Sequence, residues 1–240
     1  MKFDLIIIDI DDTFLPHRTV SVGYKLFWQY LGNFFCLKLF RLSILGLKLY
    51  LAKCFREVKN KFRNEKFESN KKLINIWGEG IVRLGINAKD YEISENRIKE
   101  KLFKKTLKLL DVVRKENPTA YVVAITQSFN LVNEKDKLIK NSLKINDPIT
   151  KVLGIDELYS NVFYYGKEGI IVDKELLIKN GFDKLDIAEK VMKKINAKNV
   201  GLFIDDYDDL KLLGLKGNVQ VVYTGWKIRK FADKKLVITN

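Results

Sequence analysis

Two aspartates separated by one residue follow directly after an apolar run near the start of the sequence. The run Leu5–Ile8 ends at Asp9, and Asp11 and Thr13 come two and four residues later. A short apolar segment bounded by polar residues is typical of a buried strand in a parallel sheet. Neighbouring carboxylates repel each other unless a cation lies between them. The pattern therefore predicts a site for a hard metal ion, most simply Mg²⁺. The alternative is a solvated acidic turn that closes the strand.

Polar residues also follow two later apolar runs. Thr126 ends the run that begins at Ala120, and the aspartate-rich segment Asp205–Asp209 ends the run Val200–Ile204. Ligand sites of open α/β sheets lie at the carboxyl ends of the strands. Because these ends meet at one edge of a parallel sheet, we expect Thr126 and the later aspartates to converge on the first aspartate pair.

Apolar runs alternate with amphipathic segments from about residue 104 onward. The predicted strands that follow Leu5–Ile8 are Ala120–Thr126, Leu158–Tyr165, Val200–Ile204 and Val219–Thr224. The predicted helices are Lys104–Glu116, Leu131–Ile145 and Lys184–Ile195, the last capped by Asp183, and a small hairpin is predicted over Tyr164–Val172. This alternation predicts an α/β fold, a Rossmann-like and mostly parallel sheet of about five strands flanked by helices.

The segment between the first two predicted strands has a different character. Residues 19–104 are rich in Leu, Phe, Lys and Asn and contain no stretch of alternating apolar and polar residues. This composition predicts an all-helical cap inserted into the sheet domain. The expected domains are therefore a catalytic core formed by residues 1–18 and 105–240, and a helical cap formed by residues 19–104.

Composition restricts the classes of function. The chain has 240 residues, of which 47% are hydrophobic, and a formal net charge of +14, which predicts an anionic partner. His17 is the single histidine, so catalysis or zinc binding based on histidine is not expected. Cys36 and Cys54 lack metal-ligand spacing and are typical of buried thiols in a reducing compartment. Aspartates interrupt the first apolar run, which does not fit a signal peptide, so a cytoplasmic location is expected.

The most apolar part of the sequence is also strongly basic. Within Lys25–Phe55, charged residues interrupt the apolar run too often for a membrane-spanning helix. Lys38, Arg41 and Lys48 recur at spacings that place them on one helix face. Two interpretations remain open, a cap whose lysines are simply solvated and a surface that lies on an anionic membrane. Nucleic-acid binding is not expected, because no recognition motif is present.

Taken together, the motifs resemble those of the haloacid dehalogenase superfamily, mostly phosphatases, and in particular its phosphoserine-phosphatase-like branch. Asp9 and Asp11 resemble the first motif, and Thr126 within Val122–Ser128 resembles the second. Lys184, in the first turn of a predicted helix, resembles the third, and Asp205–Asp209 resembles the fourth. A helical cap between the first and second motifs is also typical of this branch.

The resemblance implies a mechanism in which Asp9 attacks phosphorus and forms an aspartyl phosphate. Asp11 would protonate the leaving oxygen and then activate water. Thr126 would donate a hydrogen bond to the phosphoryl oxygens, and Lys184 would offset their charge. A helix N-terminus disfavours a lone cation, so Lys184 needs a compensating anion. Lys179 and Lys190 are rivals for its role by proximity.

The resemblance further implies Mg²⁺ held by Asp9, the backbone carbonyl of Asp11 and a carboxylate of the fourth motif. The candidate metal residues are Asp9, Asp11, Asp205, Asp206 and Asp209. The family pattern has a glycine where this chain has Ile204, so the assignment of the two fourth-motif aspartates is open. We favour Asp205 and Asp209, with Asp206 outside the direct ligands. Asp12 replaces a glycine that often follows the first motif.

The cap determines the substrate in such a layout. Arg18 stands where serine-phosphate enzymes of the branch carry a glutamate, which argues against an amino-acid phosphate. The apolar and basic segment Leu26–Phe55 looks in composition like that of phosphatidylglycerophosphate phosphatases and prenyl-linked sugar phosphatases. We therefore expect a Mg²⁺-dependent phosphomonoesterase for a lipid-linked or interfacial phosphate, peripheral at the inner face of the membrane. A soluble sugar-phosphate or nucleotide phosphatase and a non-catalytic protein that binds an acidic partner are the alternatives.

Overall fold

A computed structural model describes residues 2–16, 18–32, 36–62, 70–92, 94–135, 148–225 and 228–232. Its strands are β1 (Leu5–Ile8), β2 (Tyr121–Asn133), β3 (Glu157–Tyr165), β4 (Ile171–Glu175), β5 (Asn199–Ile204) and β6 (Asn218–Thr224). Its α-helices are α1 (Arg18–Gly32), α2 (Cys36–Phe62), α3 (Lys71–Leu84), α4 (Ala88–Tyr91), α5 (Glu95–Lys101), α6 (Lys104–Glu116), α7 (Pro148–Leu153), α8 (Gly181–Ile195) and α9 (Arg229–Ala232). A 3₁₀ helix spans Tyr207–Gly214.

The described strands form one sheet in the order β4-β3-β2-β1-β5-β6. All neighbouring pairs are parallel except β3 and β4, which are antiparallel. The first strand lies between β2 and β5, with Ile8 opposite Ala124 on one side and Phe203 on the other. The predicted Rossmann-like α/β fold is confirmed. The sheet has one strand more than the five expected, because the predicted hairpin adds β4 at its edge.

Both faces of the sheet are buried, which explains why its central strands are apolar throughout. Side chains of a strand alternate between the two faces. In β1, Leu5 and Ile7 pack with residues of α8 and the 3₁₀ helix, such as Val191 and Leu212. Ile6 and Ile8 pack on the other face with residues of α6, such as Leu110. A strand covered on both faces holds the residues at its carboxyl end in fixed positions.

The helices between β1 and β2 form a separate apolar cluster above the carboxyl edge of the sheet. Leu26 of α1, Leu45 of α2 and Ile81 of α3 pack together and against Phe129 and Phe163 of the sheet. The rings of these two phenylalanines stack with centroids 4.1 Å apart. We call the helices α1–α4 the helical insertion. The following helix, α5, instead packs with the sheet through Ile98.

Two local predictions were wrong. The segment Leu131–Asn133, predicted to begin a helix, continues β2, which pairs with β3 beyond an irregularity between Ile125 and Phe129. The rest of that predicted helix, residues 136–145, lies outside the described residues. Helix α8 begins at Gly181 with Asn180 as its N-cap, three residues before the predicted start. Asp183 does not cap the helix alone but completes a capping box with Asn180.

Among the helices of the described ranges, none is both long and apolar enough to cross a membrane. The longest, α2, has 27 residues and would be long enough, but charged side chains recur along it.

Candidate active site

The turn after β1 places three polar side chains at the carboxyl edge of the sheet. The backbone amide of Asp9 donates to the carbonyl of Phe203 at 2.9 Å, so the chain still pairs with β5 at this point. Asp12 then adopts a positive φ of 59°, and its amide donates to the carbonyl of Leu15. Aspartate tolerates this left-handed conformation better than most residues with a side chain. The resulting turn buries Thr13 beside β5.

The aspartate-rich segment after β5 is held by its own backbone. Asp206 caps the 3₁₀ helix and forms a capping box with Asp209. The Oδ2 atom of the buried Asp209 accepts hydrogen bonds from the amides of Asp205 and Asp206, both at 3.1 Å. Thr13 Oγ1 donates to Asp205 Oδ1 at 2.8 Å, which joins the turn after β1 to this segment. The orientation of Asp205 is therefore fixed from two sides.

Lys184 reaches this cluster from the first turn of α8 and is only 1% exposed. Its Nζ lies 2.5 Å from Asp209 Oδ1 and 3.3 Å from Asp9 Oδ2. These two carboxylates are the anions that a lysine at a helix N-terminus requires. Gly181 allows helix α8 to lie close to the aspartate-rich segment, because a Cβ at this position would lie 2.1 Å from the backbone oxygen of Asp208. The two rival lysines, at positions 179 and 190, are exposed.

Asp9, Asp205 and Asp209 each bring one carboxylate oxygen into a group whose members lie within 4.8 Å of one another. Burial, together with the neighbouring charges of Asp209 and Asp11, raises the pKa of Asp9 well above its ordinary value. Burial and the charges of Asp9 and Asp209 do the same to the pKa of Asp205. Burial opposes the charge of Lys184, but Asp209 and Asp9 outweigh it and raise the pKa of its ammonium group.

This balance of charges is a test of whether a metal ion fits the site. In the described part of the chain one lysine, Lys184, faces three buried carboxylates, and burial together with the neighbouring aspartates raises the pKa of Asp9 and of Asp205. A divalent cation with a preference for oxygen ligands would supply the missing positive charge. The donor set of the site therefore fits Mg²⁺. Asp209 is the least available of the three carboxylates for binding a metal ion, because both of its oxygens already accept hydrogen bonds.

The neighbouring strand contributes hydroxyl groups to the same edge. Ser128 Oγ donates to the carboxylate of Asp11, and the Ser128 amide donates to Thr126 Oγ1 at 3.3 Å. Thr126 itself is buried at the point where β2 leaves its regular pairing with β3. The structure thus brings Thr126 to the predicted edge, but the hydroxyl that contacts Asp11 belongs to Ser128.

The two remaining aspartates of the segment face the helical insertion. Asp206 Oδ2 accepts from Arg56 Nη2 of α2 at 3.1 Å. Asp208 Oδ2 accepts from the backbone amide of Asn70, before α3, and from the side chain of Gln127, both at 2.9 Å. Asp206 is therefore not brought into the cluster with Asp9. The outer aspartates of this segment, Asp205 and Asp209, therefore face the cluster, and the two between them contact the helical insertion.

Sequence reasoning missed several residues that shape the site. Thr13 lies within the first motif, but the sequence did not indicate a role for it. Ser128 lies two residues after Thr126, the residue that the sequence pointed to. Arg56 carried no signal, because it is one of many basic residues in its segment. Gly225 was also missed, although a Cβ there would lie 2.7 Å from the Cβ of Asp205. A polar run after a strand and a glycine after the last strand are the only hints that the sequence offers.

No protein-family model matches the chain. No curated protein matches its sequence.

Solved structures are similar over nearly the whole chain. A phospho-aspartyl intermediate analogue of phosphoserine phosphatase has a TM-score of 0.61 and 16% identity, and the match covers 97% of this chain and 92% of that chain. A substrate-bound phosphoserine phosphatase complex has a TM-score of 0.58 and 14% identity, with 99% and 92% covered. A HAD family hydrolase from Salmonella enterica subsp. enterica serovar Typhi has a TM-score of 0.56 and 14% identity, with 97% and 65% covered.

These similarities confirm the predicted resemblance for the fold of the chain. The helical insertion and the aspartates at the sheet edge occur here on the same overall framework as in those enzymes. The chain has the fold of the phosphoserine phosphatases and of HAD family hydrolases.

Proposed function

We propose that the protein is a Mg²⁺-dependent phosphomonoesterase that works through an aspartyl-phosphate intermediate. The observation that carries this proposal is the buried cluster of Asp9, Asp205 and Asp209, contacted by Lys184, at the carboxyl edge of the sheet. A cluster of this kind raises the free energy of the empty site and favours a bound cation and a dianionic phosphate next to it.

In the first half of the reaction, an oxygen of Asp9 attacks phosphorus and the bond from phosphorus to the leaving oxygen breaks. Asp11 donates its proton to that leaving oxygen, and Ser128 holds the carboxyl of Asp11 in position. In the second half, Asp11 takes a proton from water as the water attacks phosphorus. Inorganic phosphate leaves, and the carboxylate of Asp9 is restored. Thr126 and Lys184 stabilise the charge on the phosphoryl oxygens.

Asp9, Asp205 and the backbone carbonyl of Asp11 would hold the cation, which would supply positive charge that lets an anionic nucleophile approach an anionic phosphate. Asp209 orients the amides of Asp205 and Asp206 and neutralises Lys184, so its role is to position the other groups. Asp206 pairs with Arg56 and stays outside the direct ligands.

The proposed substrate is a phosphorylated small molecule, and more narrowly a lipid-linked or interfacial phosphate. The helical insertion acts as the cap that selects it, within the proposed boundaries 19–104. Support comes from the exposed apolar side chains of α1 and α2, which face the solvent rather than the sheet. The location in this proposal is a reducing, cytoplasmic compartment, with the protein peripheral at the inner face of the membrane. Cys54, expected to be buried, is a half-buried free thiol.

The proposal is tested by a phosphatase screen with Mg²⁺. The substrates are soluble sugar phosphates, nucleotides and phosphoserine, together with lipid phosphates in mixed micelles. We expect hydrolysis by the wild type, none by Asp9→Asn, and a wild-type adduct of one phosphoryl group after acid quenching. Hydrolysis limited to soluble substrates would contradict the lipid-linked part. A wild type without activity towards any of these substrates, and indistinguishable from Asp9→Asn, would instead indicate a non-catalytic binding protein.

A further inference from the structure

Exposed large apolar side chains are concentrated on two helices of the described part of the chain. Four lie on α1 and eight on α2, against six elsewhere. The residues on α1 are Tyr24, Phe27, Trp28 and Leu31, and those on α2 are Leu37, Phe40, Ile44, Leu47, Tyr50, Leu51, Phe55 and Val58. We call these twelve side chains the docking face. Such a concentration exceeds the single scattered apolar residues that are normal on a protein surface.

Helix α2 is apolar on two opposite sides. One side packs inside the insertion through Leu42 and Leu45. On the other side, Phe40, Leu47 and Phe55 are 64%, 58% and 68% exposed. The exposed apolar residues recur every three or four positions, which places most of them in one stripe along the helix. The residues of this stripe do not belong to the apolar core of the helical insertion. Packing within the described part of the chain therefore does not explain why the stripe is apolar.

Aromatic residues of α1 extend the docking face. The ring of Trp28 makes edge contacts with Tyr24 and Phe27, at centroid distances of 6.0 and 5.7 Å. Helices α1 and α2 pack against each other, and Lys38 of α2 lies over the ring of Tyr30 at 5.7 Å. Tyrosine and tryptophan are favoured where an apolar phase meets water, because each has an apolar body and a polar tip.

The surroundings of the docking face are basic. Helix α2 contains seven lysines and arginines and one glutamate. A groove of about 420 Å³ lies between α2 and α3, next to Ile44 of the stripe. Three cations, Arg41, Lys48 and Arg83, line this groove with one anion, Glu79, which pairs with Arg83, so the lining keeps a positive excess beside apolar side chains such as Leu84. A groove with several cations and an apolar wall is complementary to the phosphate headgroup and the acyl region of an anionic lipid.

We propose that the docking face binds the surface of an anionic phospholipid bilayer, with the groove between α2 and α3 receiving lipid headgroups. Helix α2 then lies in the plane of the interface and does not cross the bilayer, which agrees with its recurring charges. A second copy of the chain is a poorer occupant. A two-fold dimer would place the same patch of both subunits together, and with it two helices that each carry a large positive excess.

Docking on this face brings the candidate active site to the interface. Phe55 belongs to the stripe, and the next residue, Arg56, contacts Asp206 of the aspartate-rich segment. The docking face is therefore connected to the aspartate-rich segment through one residue of α2. Membrane binding itself is independent of the reaction, whereas the delivery of a lipid-linked substrate rests on the proposed function.

The test is sedimentation of the full chain with vesicles of phosphatidylcholine alone or with one third phosphatidylglycerol. We expect the wild type to bind the anionic vesicles at least about tenfold more tightly, and added salt to weaken this binding. The double variant Phe40→Glu/Leu47→Glu removes two apolar side chains from the stripe and adds two negative charges. It should lower the affinity for anionic vesicles by about tenfold or more.

Gly46→Glu is the matched control, because it adds a charge at an exposed neighbouring position where a side chain meets open space. It lies off the stripe and should retain most of the binding. Equal binding by the double variant and the wild type would overturn the proposal, as would a wild type that stays in solution with anionic vesicles. A concentration-dependent dimer that the double variant abolishes would assign the face to a second copy. Hydrolysis of a soluble phosphomonoester by each variant tests the proposed function separately.

Discussion

Arg56 and Asp206 form an ion pair that joins the helical insertion to the segment carrying the candidate metal residues. Arg56 Nη2 lies 3.1 Å from Asp206 Oδ2, and the arginine is only 5% exposed. Asp206 is the residue between Asp205 and the 3₁₀ helix that contains Asp209. The ion pair therefore connects α2 directly to the backbone that orients the carboxylates of Asp205 and Asp209.

Replacing Arg56 with methionine should destabilise the protein by about 1–3 kcal/mol, because it leaves the partly buried carboxylate of Asp206 without its cation. The double variant Arg56→Met/Asp206→Asn should recover part of this loss, with a coupling energy of about 1–2 kcal/mol. Urea denaturation of the four proteins measures both quantities. Arg83→Met is the control, since Arg83 and its partner Glu79 are 80% and 46% exposed, and it should cost less than about 0.5 kcal/mol. Strictly additive single effects would contradict the coupling.

Lys184→Met should abolish most of the phosphatase activity and destabilise the metal-free protein. Without the ammonium group, the buried carboxylates of Asp9 and Asp209 repel each other at a distance of a few ångströms. We expect kcat/KM to fall by about 10³-fold and unfolding to become easier by about 3 kcal/mol. Lys190→Met alters an exposed lysine of the same helix and should leave both quantities nearly unchanged. An active Lys184→Met enzyme would remove this lysine from the mechanism.

The pH dependence of stability should reveal the under-compensated carboxylates. Asp9 and Asp205 have raised pKa values in the folded protein, whereas aspartates of an unfolded chain titrate near pH 3.9. The folded state thus binds more protons, and this contribution to stability is complete below about pH 4 and is lost as the pH rises through the raised pKa values. Mg²⁺ requires the ionised carboxylates, so the stabilisation that it provides should increase with pH.

This prediction is checked by measuring Tm with EDTA and with Mg²⁺ at a series of pH values from about 4 upward. The increase in Tm caused by Mg²⁺ should disappear in Asp205→Asn. A shift that is the same at every pH, or that persists in this variant, would place the cation elsewhere.

Gly225→Ala should weaken Mg²⁺ binding without replacing any charged residue. The added Cβ would lie 2.7 Å from the Cβ of Asp205, so the aspartate must shift from its present position. We expect the affinity for Mg²⁺ to fall by about tenfold, as for other groups that orient metal ligands. Titration calorimetry measures this affinity. Gly214→Ala serves as the control because a Cβ there meets nothing within 4 Å. Equal affinities for the two variants would show that Asp205 does not need this close packing.

The parts of the fold that could be predicted are those in which a local pattern and the tertiary structure agree. Strands β1 and β5 are short apolar runs that end at aspartates, and burial on both faces of the sheet explains their composition. The convergence of their ends follows from the topology of a parallel sheet. For Lys184, the helix dipole indicated that an anion had to be near, and Asp209 and Asp9 occupy that position.

The features that escaped prediction depend on contacts between distant parts of the chain. Leu131–Asn133 extend β2 because they pair with the backbone of β3. No local pattern in that segment predicts this pairing. Helix α8 was predicted to begin at Lys184, yet it begins at Gly181, where the lack of a side chain lets the helix approach the carbonyl of Asp208. Arg56 is one basic residue among many in α2, and only the three-dimensional structure distinguishes it from the exposed ones.

The aspartate-rich segment makes contacts with both the candidate metal site and the helical insertion, and this limits which substitutions the insertion can accept. Asp205 and Asp209 face the candidate metal site, whereas Asp206 and Asp208 hold Arg56 and the backbone next to α3. The helical insertion is thus attached to the same short segment that carries Asp205 and Asp209 of the candidate metal site. A redesign of this scaffold can change positions of α1 and α2 that lie outside both the docking face and the contacts with the aspartate-rich segment. It must keep the contacts to Asp206 and Asp208, or the carboxylates of the candidate metal site will move with the helical insertion.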